Sequence, residues 1–272
     1  MEESVIVGMA DCHTHTRFSH DSVAEPAENA RAARERGLSH IAFTDHCDAE
    51  YCADMDIGTP ILHSAAAARE QGALVGVEIG EAVWTPSAAK AVLDSTAFDI
   101  VIGSVHAVRY PHLRMPYSRI DFSAFDEEKL CDYLRAYFAD VSELAQTGDF
   151  DVLAHLTCPL RYIRGVYGRQ VSLAPYARVI DGIFDTIIAR GIALEVNTSG
   201  VGTAFGELMP GVPLLRRYKE RGGQLLTLGS DAHTPERVGF GFHEASEALR
   251  EIGFTQAYYY KDRTAVPYEM KG

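Results

Sequence analysis

Asp11-Cys12-His13-Thr14-His15-Thr16-Arg17-Phe18-Ser19-His20-Asp21 is the stretch on which the reading of this chain turns. It follows a short apolar run, residues 5–9, that predicts a strand over residues 5–11. Alternate side chains of a strand share a face, so Asp11, His13 and His15 lie on one side and Cys12 and Thr14 on the other. Two imidazoles two residues apart at a strand's C-terminal end can reach one cation, because neutral imidazole is the commonest metal ligand. A His-x-His pair alone is ordinary, so the reading depends on what the other strand ends supply.

Outward from that stretch, β-branched apolar runs alternate with segments of helical period, the pattern of a parallel sheet or barrel covered by helices. Strands are expected over residues 5–11, 40–44, 73–79, 100–104, 152–155, 193–197 and 225–229. Helices are expected over 26–36, 61–71, 87–95, 126–147, 175–190, 212–221 and 235–252. Gly37, Gly72, Gly148, Gly191 and Gly222 each lie just past a helix end, where a left-handed cap suits glycine. The tail 256–260 reads as an extra strand, with Tyr258–Tyr260 as an exposed edge. The strand ends then carry His13 and His15, His46, Glu78, His106, His155, and the pair Asp231 and His233. In an α/β barrel such ends meet on one rim, where active sites sit. Two long loops, 107–123 and 156–173, are rich in Arg, Tyr and Pro, as the wall of a pocket for a phosphorylated ligand would be.

The chain has 272 residues, 47% of them hydrophobic, enough for one barrel, and the expectation is a single domain over 1–272. A net charge of −13 argues against a nucleic-acid partner. An acidic start and the absence of a long apolar run predict a cytoplasmic protein with no membrane contact. The five cysteines (Cys12, Cys47, Cys52, Cys131, Cys158) form no Cys-x-x-Cys pair and are expected to be reduced and mostly buried. Cys12 and Cys47 flank candidate ligands and are assigned to core packing, as are Tyr133 and Tyr137.

His13-Thr14-His15-Thr16 with Ser19 and Asp21, Thr44-Asp45-His46, Gly76-Val77-Glu78, Gly103-Ser104-Val105-His106, Ala154-His155, the run from Leu194 to Gly200 and the run from Leu228 to His233 together resemble the PHP (polymerase and histidinol phosphatase) superfamily. Within it the chain is most similar to the monofunctional histidinol-phosphate phosphatases. The resemblance implies an α/β fold, a distorted (β/α)7 TIM-like barrel, with three divalent metal ions (Zn, Fe or Mn). His13, His15, Glu78 and Asp231 would hold the first and Glu78, His106 and His155 the second; Asp21, His46 and His233 would hold the third. Asp21 stands where some relatives carry histidine. Three divalent cations among three carboxylates and neutral imidazoles leave a formal charge of about +3, suited to a dianionic phosphomonoester. The expected mechanism is in-line attack by a hydroxide bridging the first two metals and held by Glu78.

Arginine makes a bidentate phosphate clamp, and Arg161, with Arg164 just beyond, stands where the relatives place one. The chain departs from many relatives after Gly200, where Val201-Gly202-Thr203-Ala204 replaces a basic residue; Arg109 and Arg114 are candidate substitutes. Asp45 is expected to orient a ligand or cap a turn. An amino-alcohol substrate calls for a carboxylate near its ammonium, with Glu207 and Glu81 as candidates. The expected activity is hydrolysis of L-histidinol phosphate to L-histidinol in histidine biosynthesis. The alternatives are a related phosphoesterase acting on nucleotides or nucleic-acid ends, and a non-catalytic metal-stabilised module. The sequence leaves the oligomeric state open.

Overall fold

The computed structural model describes residues 8–48, 58–113 and 115–270. Eight strands form one parallel sheet: β1 (Ala10–Thr14), β2 (His40–Phe43), β3 (His46–Asp48), β4 (Leu74–Gly80), β5 (Ile100–Ser104), β6 (Val152–Leu153), β7 (Ala193–Asn197) and β8 (Leu226–Gly229). Their order is β1-β2-β4-β5-β6-β7-β8, so seven strands run round the sheet while β3 extends the path of β2 along β4. The sheet nearly closes into a barrel. Thr14 pairs in parallel with Ala232, His15 N donates to Ala232 O at 2.9 Å, and Asp231 N donates to His13 O at 2.8 Å.

Among the described residues seven α-helices cover the barrel: α1 (Pro26–Glu35), α2 (Gly58–Gln71), α3 (Pro86–Leu93), α4 (Glu127–Thr147), α5 (Ala177–Arg190), α6 (Val212–Glu220) and α7 (Phe242–Ile252). Helix α4 starts where Asp126 accepts from Lys129 N at 2.7 Å, with Glu127 and Glu128 suiting the positive end of the helix dipole. Along the strands the apolar residues alternate. Val75, Val101, Leu153 and Leu194 pack with the helices, while Leu74, Ile100, Ile102, Val152 and Ala193 form a smaller cluster inside the barrel. Among the described residues no helix is long and apolar enough to cross a membrane.

Several expectations shift. The first strand was expected over 5–11, but the chain pairs from Ala10 to Thr14, which puts His13 within β1 and His15 directly after it. Residues 1–7 lie outside the described residues, as do Cys52 and Arg114. Gly37, Gly72, Gly191 and Gly222 adopt positive φ as expected, whereas Gly148 is extended. The helix expected over 235–252 breaks: a short 3-10 turn at Pro235–Arg237 precedes α7, because Gly239 N donates to buried Asp11 at 2.8 Å.

The tail also corrects the reading of Tyr258–Tyr260 as an exposed edge. Strands β9 (Gln256–Lys261) and β10 (Thr264–Glu269) form an antiparallel hairpin whose two turn residues, Asp262 and Arg263, both have positive φ. Tyr260 is 3% exposed within the inner cluster, and its hydroxyl donates to Asp151 O at 3.1 Å. Tyr259 stacks on His40, and Tyr258 O accepts from Cys12 Sγ. The hairpin thus closes the barrel at the end opposite the histidines.

Candidate metal centre

The strands converge their C-terminal ends on Glu78, which is fully buried on β4. Its Oε1 lies 3.1 Å from His106 Nε2 and 3.0 Å from His155 Nε2; its Oε2 lies 3.3 Å from His13 Nε2 and 3.6 Å from His15 Nε2. Asp231 Oδ1 is 3.2 Å from His15 Nε2 and 3.8 Å from His13 Nε2. Its φ of 53° turns the chain sharply after β8, a conformation that aspartate tolerates. At the outer edge Asp21 Oδ2 lies 3.1 Å from His233 Nε2 and 3.4 Å from His46 Nε2. All nine sequence-predicted residues therefore meet in one place.

Hydrogen-bond accounting shows what this cluster lacks. His13 Nδ1 donates to Glu195 Oε1 at 2.6 Å, which leaves its Nε2 a bare lone pair in the neutral ring. Ser19 Oγ donates its one proton to Asp45 Oδ1 and accepts from His46 N, so His15 Nδ1, 3.0 Å away, must donate to it. His15 Nε2 is then also bare, yet the two Nε2 atoms stand 3.0 Å apart. Likewise His106 Nδ1 donates to Asp48 Oδ1 at 3.0 Å and turns a bare Nε2 toward Glu78. His46 Nδ1 and Glu78 Oε2 approach to 2.9 Å without a hydrogen bond of acceptable geometry. Facing lone pairs repel, and cations between them reverse the sign; the donor set is able to bind metal.

Without metal, protons take that role. Burial pushes the imidazoles of His13, His46 and His106 down, but the surrounding carboxylates, Glu195 and Glu78 for His13 and Glu78 and Asp48 for the other two, outweigh it and raise all three well above the ordinary value. Burial and the neighbouring His233 and His46 lower His15 to about 3. Burial would raise Glu78, yet His106, His13 and His46 hold it well below the usual carboxylate range.

Three groups that orient the ligands escaped the sequence reading. Glu195 on β7 also accepts from His155 N at 2.6 Å. A Cβ at Gly229 would fall on its carboxylate, so only glycine leaves room there. Asp48 on β3 is accommodated in the same way by Gly80. Ser19 links Asp45 to His15, so Asp45 acts on His15 through that hydroxyl rather than on its neighbour His46. The signal for Glu195 was an inward-facing acid in the middle of a parallel strand; for Asp48 it was the His-x-Asp alternation His46-Cys47-Asp48.

A cavity of about 380 Å³ opens over the cluster. Pro116, Tyr117 and Arg119 from the first long loop and Cys158, Arg161 and Tyr162 from the second line it, as expected of those loops. Arg161 is largely buried and donates to Ser199 Oγ at 3.1 Å. Arg164 does not line the cavity: Glu207 holds its guanidinium in a two-pronged ion pair and Phe205 packs against it. Arg109 is engaged by Asp140 and Glu143. Glu81 is fully buried, accepting from the backbone N–H of His106 and Ala107, and does not line the cavity. Cys12, Cys47 and Cys158 are buried and Cys131 is exposed; Tyr133 and Tyr137 are core residues.

Fold and site together define a nearly closed parallel α/β barrel whose C-terminal rim gathers buried imidazoles and carboxylates able to bind metal. The PHP domain model matches residues 11–199, and the chain belongs to that family. A probable histidinol-phosphatase of Deinococcus radiodurans is 32% identical over 260 residues, covering 91% of this chain and 95% of that protein. The histidinol-phosphatase of Lactococcus lactis is 28% identical over 254 residues, covering 90% and 91%. Among solved structures, the L. lactis histidinol phosphate phosphatase, complexed with zinc, L-histidinol and phosphate, superposes with a TM-score of 0.77 at 25% identity, covering 96% of this chain and 99% of that one. A putative histidinol phosphatase of Listeria monocytogenes shares the fold with a TM-score of 0.70 at 17% identity, covering 86% and 99%.

Proposed function

We propose that this chain is a metal-dependent phosphomonoesterase that hydrolyses L-histidinol phosphate to L-histidinol and phosphate. The observation that carries the reading is the set of bare imidazole nitrogens converging on Glu78 beneath a small cavity that Arg161 enters. The likeness to relatives named for this activity, one of them solved with zinc, L-histidinol and phosphate, supports the substrate.

Three divalent ions, zinc, iron or manganese, are proposed: the first held by His13, His15, Glu78 and Asp231, the second by Glu78, His106 and His155, the third by Asp21, His46 and His233. Such ions supply positive charge for the phosphoryl oxygens and bring the pKa of a bound water near neutrality. Glu78, with Oε1 toward His106 and His155 and Oε2 toward His13 and His15, would serve both inner ions. Arg161, which lines the cavity, would clamp the phosphate with paired charge-assisted hydrogen bonds. Glu195, Asp48 and Ser19 hold His13, His106 and His15 in the tautomers that present Nε2 inward.

The test is phosphate release from histidinol phosphate, a nucleoside monophosphate and an aryl phosphate, on protein of counted metal content. The reading predicts a kcat/KM for histidinol phosphate about a hundredfold or more above the others. Equal rates, or a preference for the nucleotide, would overturn the substrate.

A further inference from the structure

The proposed substrate carries an ammonium as well as a phosphate, and a cation drawn out of water needs an anionic partner. Three carboxylates line the cavity: Asp21, Asp48 and Asp231. Asp21 and Asp231 face the outer and inner imidazoles and belong to the proposed metal set. Glu207 is bound to Arg164, and Glu81 is sealed behind His106. Asp48 is the carboxylate left over.

Its two oxygens have different surroundings. Oδ1 accepts from His106 Nδ1 at 3.0 Å. Oδ2 is approached by His46 Nδ1 at 3.8 Å and His20 Nδ1 at 4.0 Å, both beyond hydrogen-bond reach, and among the described residues no donor is hydrogen-bonded to it. The carboxylate thus stands one imidazole ring away from the His106 Nε2 that faces Glu78.

We infer that Asp48 is the specificity-determining residue of this site, accepting a hydrogen bond from the ammonium of a 2-aminoalkyl phosphate through Oδ2 while Oδ1 holds His106. The inference rests on the phosphatase reading. It places the leaving alcohol against the β3 side of the cavity and the phosphate against Arg161. It also accounts for β3, the short strand that continues along β4 past Thr44 and without which Asp48 would not reach the cavity.

The experiment compares histidinol phosphate with its desamino analogue, in which hydrogen replaces the ammonium, on the wild-type metal-loaded enzyme and on Asp48→Asn. The wild type is expected to favour the amine by roughly ten- to a hundredfold in kcat/KM, the range for a hydrogen bond to a charged group. In Asp48→Asn both substrates lose turnover through the loosened His106, and histidinol phosphate loses a further factor of roughly ten- to a hundredfold in kcat/KM, so that the preference collapses. If the variant loses both substrates by one factor, Asp48 acts only through His106 and the inference fails. Should the variant not fold, the wild type decides: equal kcat/KM for the two substrates overturns the amine contact. Failure of the phosphatase reading looks different, since the wild type would then show no preference for histidinol phosphate over the nucleoside monophosphate.

Discussion

The two ends of one barrel are built from the same seven parallel strands and solve opposite problems. At the end closed by the hairpin, Tyr260 fills the space between small residues such as Ala10, Ala42 and Ala193, and its hydroxyl finds Asp151 O. The polar tip of its largest buried side chain is satisfied by the backbone. At the other end, imidazole lone pairs face each other and Glu78, and Glu78 Oε2 and His46 Nδ1 are buried without a hydrogen bond. The lesson is that unmet electrostatic demand, not exposure or cavity size, marks the working end of the barrel.

The contrast breaks most severely at Glu78. Glu78→Gln keeps the shape but removes the charge shared by both inner positions, and kcat/KM for histidinol phosphate should fall roughly a thousandfold, the upper range for deleting one preorganised electrostatic group. Tyr260→Ala should do the reverse: a stability loss of about 3 kcal/mol by chemical denaturation, as for large aromatic truncations in a core, with kcat nearly unchanged. Turnover lost at both ends alike would refute the division of labour. Arg161→Ala should cost roughly a hundredfold in kcat/KM if the guanidinium meets the phosphate; an unchanged value would assign it to the Ser199 loop alone. Glu195→Gln, at a side chain that accepts from His13, the backbone of His155 and Asn197, should weaken metal binding by about tenfold or more, measured by competition with a chelator.

The smallest effect concerns pH in metal-free protein. The folded-state pKa values of His13, His46 and His106 are raised, so their stabilisation is complete below the ordinary 6.5 and fades as pH climbs through the raised values. Burial and Asp48 raise Glu81 to about 8, and ionising it erodes stability in the same direction. The Tm of metal-free protein should therefore fall as pH rises above 6.5. Metal-loaded protein should lose the histidine part of that slope and keep the shallower part from Glu81, because cations displace the imidazole protons on binding.

The sequence made the rim legible because its chemistry is carried by residue types that are conspicuous at strand ends: His13, His46, His106 and His155 each follow an apolar run. The seven strands and most helices were readable from periodicity within a few residues. What escaped was set by distant partners. Nothing local says that Gly229 is a glycine to make room for Glu195, or that Asp11 pulls Gly239 N inward and so splits the helix expected over 235–252. The sequence put Arg161 ahead of Arg164, and the placement of Glu207 against Arg164 agrees with that order.

The measurement that tests the metal-centre reading most directly is a titration of divalent metal into chelator-treated protein, following bound metal and phosphate release from histidinol phosphate together. Turnover should be absent without metal and should rise with occupancy toward three ions per chain. Turnover in fully metal-free protein, or metal binding that raises Tm without restoring any phosphate release, would contradict it.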